Sequence, residues 1–161
     1  MPNRAARESN EFARVALPKR FCNLDRLLFA LQQRGLDGIV ATLPYNVFYL
    51  SGFNGVAHKA DEPRPYAFVL TRHKPDNPVL IIADYYVATF LAQPTWVEDI
   101  RPFRAVMMPL DLAPQASDID RFIPPAPANT AWIERARRSY AFDMGQALRG
   151  ALKDLKLDTG R

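Results

Sequence analysis

The sequence predicts an α/β domain, a mixed β-sheet flanked by helices. Three observations carry that prediction. Leu24, Leu27, Leu28 and Leu31 recur at the i, i+3, i+4, i+7 spacing of one helix face. The apolar run "GIVA" follows that pattern closely, is rich in β-branched residues and is bounded by turn signals, as a buried strand is. Two further runs, "YAFVLT" and "VLIIAD", flank the turn-forming stretch "RHKPDNP" like the arms of a hairpin.

The elements follow in order. A helix is expected over about residues 23–34, with Asn23 as its N-cap and Gly35 just past its end. Residues 37–42 form the first strand. Pro44 suits the first turn of a helix, where its missing N–H is no loss, so "PYNVFYLS" is a two-turn helix that Gly52 ends. Asn54-Gly55 opens a polar loop that runs to Pro65. The hairpin strands are residues 66–71 and 79–84. Asp84 is expected to cap a helix over residues 85–93, ended by Pro94. "WVEDIRPF" alternates like a short strand, and Pro102 marks an edge or an end. Residues 104–130 hold five prolines and read as a long surface connection with one short helical turn. Met144, Leu148, Ala151, Leu152 and Leu155 share one face of a last helix, about residues 140–156.

Length and charge bound the function. The 161 residues make one ordinary domain, and no segment approaches the roughly 20 apolar residues of a membrane helix. No membrane role is expected. The basic N-terminus lacks an apolar core segment, so it does not read as a secretory signal. Cys22 is the only cysteine and can form no intrachain disulfide; a cytoplasmic protein is the expectation. The net charge is +4, of which residues 1–20 carry +3 and the rest +1. Residues 1–21 therefore read as a basic, flexible tail and 22–161 as a nearly neutral domain. A nucleic-acid binder would carry a basic stripe on its folded face, so no nucleic acid is expected. The run "ERARR" (134–138) reads as a solvated helix face.

Catalytic constellations are missing from the residues. There is no phosphate-binding glycine loop. The two histidines, His58 and His73, have no partner at a helical ligand spacing. His73 falls in the hairpin turn and reads as solvated. His58 falls in the 54–65 loop with Lys59, Asp61, Glu62 and Arg64, where a site could be projected. Cys22 precedes a helix but has no histidine near it in sequence, and a buried structural thiol is expected. An enzyme of this size should show one convergent cluster, so this chain by itself is expected not to be an enzyme.

The stretch "GLDGIVATLPYNVFYLSGF" resembles the N-terminal domain of the creatinase, prolidase and aminopeptidase P family. The likeness continues through "RPYAFVLT", "VLIIADYY" and "WVEDIRPF" to "ALRGALKDLKLDTGR", over about residues 22–161; residues 104–130 are unmatched. The resemblance implies a three-layer sandwich of ribonuclease H-like topology. It implies a parent hydrolase of Xaa-Pro dipeptidase, aminopeptidase P or creatinase type, whose separate C-terminal catalytic domain usually holds two divalent metals (Mn, Co or Zn). It assigns no cofactor and no metal to this chain. The partners implied are the chain's own catalytic domain, a second subunit in a homodimer, and a peptide or small amide substrate. The domain would give oligomer contacts and part of the wall of a neighbour's active site. The chain's stop in a helix-to-strand turn is expected of a piece of a longer protein.

Carried onto single residues, the resemblance makes Arg64 a candidate for holding a substrate carboxylate, which a guanidinium can grip with two hydrogen bonds. Phe53 is a candidate pocket wall, and His58 lies in the loop between them. Val47, Phe48 and Leu50 are expected to pack inward, Asn46 to tie the turn, and Phe53 to reach the lip. The alternatives are a stand-alone α/β binding module for an acidic partner, using the basic tail, and a small enzyme whose site the residues do not display.

Overall fold

The computed structural model of the chain describes residues 19–55, 65–105, 119–123 and 130–160. Within them lie five α-helices and a four-stranded sheet of order β1-β2-β3-β4. The strands are β1 (Gly38–Ala41), β2 (Tyr66–Thr71), β3 (Val79–Ala83) and β4 (Asp99–Phe103). β1, β2 and β3 form an antiparallel meander, and β4 joins β3 in parallel, so the sheet is mixed as expected.

Every residue of β2 and β3 is buried. Side chains alternate between the two faces of a strand, so both faces must be covered. The sequence shows this as unbroken apolar runs rather than alternation. Helix α5 (Met144–Asp154) packs on β2, β3 and β4, α2 (Pro44–Ser51) packs on β2, and α4 (Thr130–Arg138) packs on β4. The arrangement is the α/β sandwich the sequence predicts.

Local signals explain the element ends. The Asn23 side chain accepts from the Arg26 backbone N–H at 3.0 Å and opens α1 (Leu24–Gln33). The Asp143 side chain does the same for α5, accepting from Gln146 at 2.7 Å. Gly52 takes φ +80° and ends α2, a conformation L-residues avoid.

Four expectations need correction. Asp84 is not a simple N-cap. Residues Asp84–Tyr86 form a 3₁₀ turn before α3 (Val87–Ala92), and the buried carboxylate ties three segments together. The last strand starts at Asp99, not at Trp96, because Trp96 is drawn away to α2. Helix α4 is an element beyond the predicted order; its core side chains are only Trp132, Ile133 and Ala136, too few to mark a stripe among five charged or polar neighbours. The last helix begins at Met144 rather than near residue 140, since Ala141 bridges to Phe103 beside β4.

The remaining charged groups behave as expected. Among "ERARR", Ala136 alone is buried, while Arg137 pairs with Asp120 and Glu134 on the surface. His73 is exposed, 3.4 Å from the Asp37 carboxylate. Cys22 is buried, and burial pushes its thiol pKa up, against a smaller lowering by Arg20. No helix among the described residues is long and apolar enough to cross a membrane.

Candidate functional site

Topology brings several segments to one end of the sheet. β1, β3 and β4 run in the same direction, so their C-terminal ends lie together, beside the start of β2. From this end leave α2, the Asp84–Tyr86 turn and the chain that follows Phe103. The residues on either side of positions 56–64, Gly55 and Pro65, also lie here. Ligands of open α/β sheets bind at such strand ends.

The floor of this end is aromatic. Phe53, Tyr66 and Tyr86 form a triangle of edge-to-face contacts, with ring centroids 5.6, 5.6 and 5.7 Å apart. Edge-to-face geometry sets the positive rim of one ring against the negative face of the next. Gly55 lies against the Tyr66 ring, so close that a Cβ there would clash with it. Tyr85 meets Tyr86 with ring centroids 4.5 Å apart and planes tilted by 46°, and is half-buried. Burial and the neighbouring Tyr86 push its phenol pKa up to about 12. It therefore stays a neutral hydrogen-bonding group through the physiological range.

Asp84 holds the triangle to the rest of the domain. Its Oδ1 accepts from the Tyr85 N–H at 2.9 Å and from the Ala105 N–H at 3.4 Å, and its Oδ2 accepts from the Tyr140 hydroxyl at 2.8 Å. One buried carboxylate thus joins the end of β3, the chain leaving β4 and the chain entering α5.

The predicted site residues fare differently. Phe53 is 2 % exposed and sits in the core, so it is not itself at a lip. Its place follows from α2: the Ser51 hydroxyl donates to the Val47 carbonyl and accepts from the Phe53 N–H, folding the chain back under the helix. Arg64 and His58 lie outside the described residues. What the structure brings together is the two flanks of their segment, since Phe53 precedes it, Tyr66 follows it, and their rings touch.

Helix α2 turns a different face inward than expected. Val47, Leu50 and Ser51 are buried, whereas Phe48 is 37 % exposed and packs on Phe21 at 5.2 Å. Residues 47, 50 and 51 share a face at 3.6 residues per turn, and Phe48 lies about 100° round from Val47. Asn46 is exposed, and the N-cap position is Leu43.

Two clefts of about 620 Å³ flank the sheet. One runs between α4, β4 and α5, where Arg101 is clamped by both oxygens of Asp99 and by Asp154. The other lies between the C-terminus of α2 and the chain joining α3 to β4. Sequence reasoning missed this second one. Its signal is Trp96, whose indole N–H donates to the Leu50 carbonyl at 3.0 Å across 46 positions. Among the described residues no three His, Cys, Asp or Glu side chains are placed to hold a metal ion.

A family model for the creatinase/prolidase N-terminal domain matches residues 23–158. Comparison with curated proteins and with solved structures finds no match.

Proposed function

We propose, from the premise that this chain belongs to the creatinase/prolidase N-terminal domain family, that it is the non-catalytic N-terminal domain of a Xaa-Pro peptidase-like or creatinase-like hydrolase. It contributes oligomer contacts and part of the substrate-pocket wall of a partner subunit's active site. The observation that carries this reading is the extent of the family match, which runs from the start of α1 past the end of α5. The aromatic triangle supports it. Phe53 and Tyr66 pin the two flanks of the segment that holds His58 and Arg64. Phe53 then acts by positioning that segment, and Arg64 binds a substrate carboxylate. The bond-breaking chemistry belongs to two divalent metals in the catalytic domain of the parent protein, which this chain accompanies.

The test is made on the parent protein with its catalytic domain. Arg64→Ala should lower kcat/KM about tenfold or more, the loss of one charged carboxylate contact. Arg64→Lys should recover only part of it, because an ammonium cannot bind both oxygens in one plane. An unchanged kcat/KM for Arg64→Ala would reject the pocket-wall role.

A further inference from the structure

We propose that the groove between the C-terminus of α2 and the chain joining α3 to β4 binds an extended acidic peptide segment carrying a large apolar side chain. This is independent of the carboxylate-binding role proposed for Arg64 and rests on the residues that line the groove.

The walls are aromatic and partly exposed. Phe21 and Phe48 pair on one side and are 42 % and 37 % exposed. Pro94 and Trp96 line the other side. A protein that buries every residue of its two central strands leaves these rings to water. Singly exposed apolar residues are ordinary, but a concave cluster of them marks a binding surface. The groove is also preformed. Trp96 is fixed by its bond to the Leu50 carbonyl and backed by Phe68 at 6.3 Å. A ligand therefore need not order this wall, which lowers the entropy lost on binding.

Charge selects the occupant. Lys19 lines the groove, and the Arg20 guanidinium lies over the Trp96 ring at 5.3 Å. No Asp or Glu is among the described residues that line it. Lys19 and Arg20 are the two described members of a sequence stretch, residues 1–20, that carries +3 of the chain's +4. An apolar side chain would enter between Phe48 and Trp96 while flanking carboxylates meet Lys19 and Arg20. Asn54 and Gln93 on the rim supply amide groups for an extended backbone. A second copy of this chain is a poorer fit, since it would bring its own basic segment. A single-stranded nucleic acid wants a longer row of cations than these two.

The experiment uses the full 161-residue chain and a fluorescein-labelled peptide in which one Phe and one Leu are flanked by glutamates. Binding is read by anisotropy and by tryptophan fluorescence. Trp132 is buried and stacked on Phe90, so a change in emission reports on Trp96. Binding that weakens with salt, that falls about tenfold or more in Phe48→Glu and several-fold in Lys19→Glu, supports the proposal. Both substituted side chains are exposed, so circular dichroism should show an unchanged fold. Absence of peptide binding overturns it. So does equal binding by Phe48→Glu, equal binding of a peptide with lysines for glutamates, tighter binding of a single-stranded oligonucleotide, or closure of the groove by self-association.

Discussion

Tyr85 is the residue whose chemistry the fold alters most visibly. Its phenol is raised from 10.0 to about 12 by burial first and by Tyr86 second. The folded state thus keeps a proton that the unfolded chain releases near pH 10. Stability from this group is whole below pH 10 and drains away as pH rises toward 12. Thermal melts across pH 9–12 should show a fall in Tm over that window, and Tyr85→Phe should flatten it; an identical fall in both would disprove the assignment. Phe53→Ala removes a core ring, and a loss of roughly 3–5 kcal/mol is expected by denaturant titration. At this scale the sequence was a partial guide. A phenylalanine one residue after a helix-ending glycine says nothing of depth, and only the Ser51 hydroxyl, bonded to the Phe53 N–H, turns it inward. The burial of Cys22, by contrast, was legible from its sequence, which sets no histidine near it.

Elements are joined here by a few backbone-level contacts. Gly38 lies so close to β2 that a Cβ would run into the Leu70 carbonyl oxygen and the Leu157 side chain. Gly38→Ala must therefore push β1 from its partner, and a loss of more than about 2 kcal/mol is expected in chemical denaturation, with no such effect at the exposed Gly145. Gly52→Ala meets no steric barrier but must hold φ +80°, so a smaller loss of about 1–2 kcal/mol is expected. Asp84→Ala removes the acceptor shared by the Tyr140 hydroxyl and two backbone N–H groups. Loss of the group should cost about 1–3 kcal/mol and speed hydrogen exchange at Ala105. The strands were legible because fully buried strands read as continuous apolar runs. Helix α4 was not, because its contact with β4 is made by alanine and a tryptophan-isoleucine pair, and propensity and periodicity weigh alanine lightly. The cap role of Asn23 follows from local spacing alone, whereas the role of Asp84 depends on Tyr140, 56 positions away.

For the molecule as a whole, the ordered succession of short segments carried more information than any one of them. "GIVA", the hairpin and "WVEDIRPF" are individually generic, and the family emerges from their sequence and spacing across residues 23–158. Function was less legible because the sequence gathers no acids, bases or metal ligands into one motif, and only the order of its segments points to a family. Purified residues 1–161 are expected to show no hydrolysis of prolyl dipeptides or small amides with Mn²⁺, Co²⁺ or Zn²⁺ added; turnover above the metal-only blank would overturn the non-catalytic reading. The two margins of the sheet differ. Along β4, Pro102 lacks an N–H, and Ala141 already takes up the Pro102 carbonyl at 3.0 Å. Along β1, no strand lies outside among the described residues, and Val40 is 44 % exposed. At Pro102 the β4 margin thus offers an added strand no N–H and a carbonyl already bonded, so the sheet resists growth at that point.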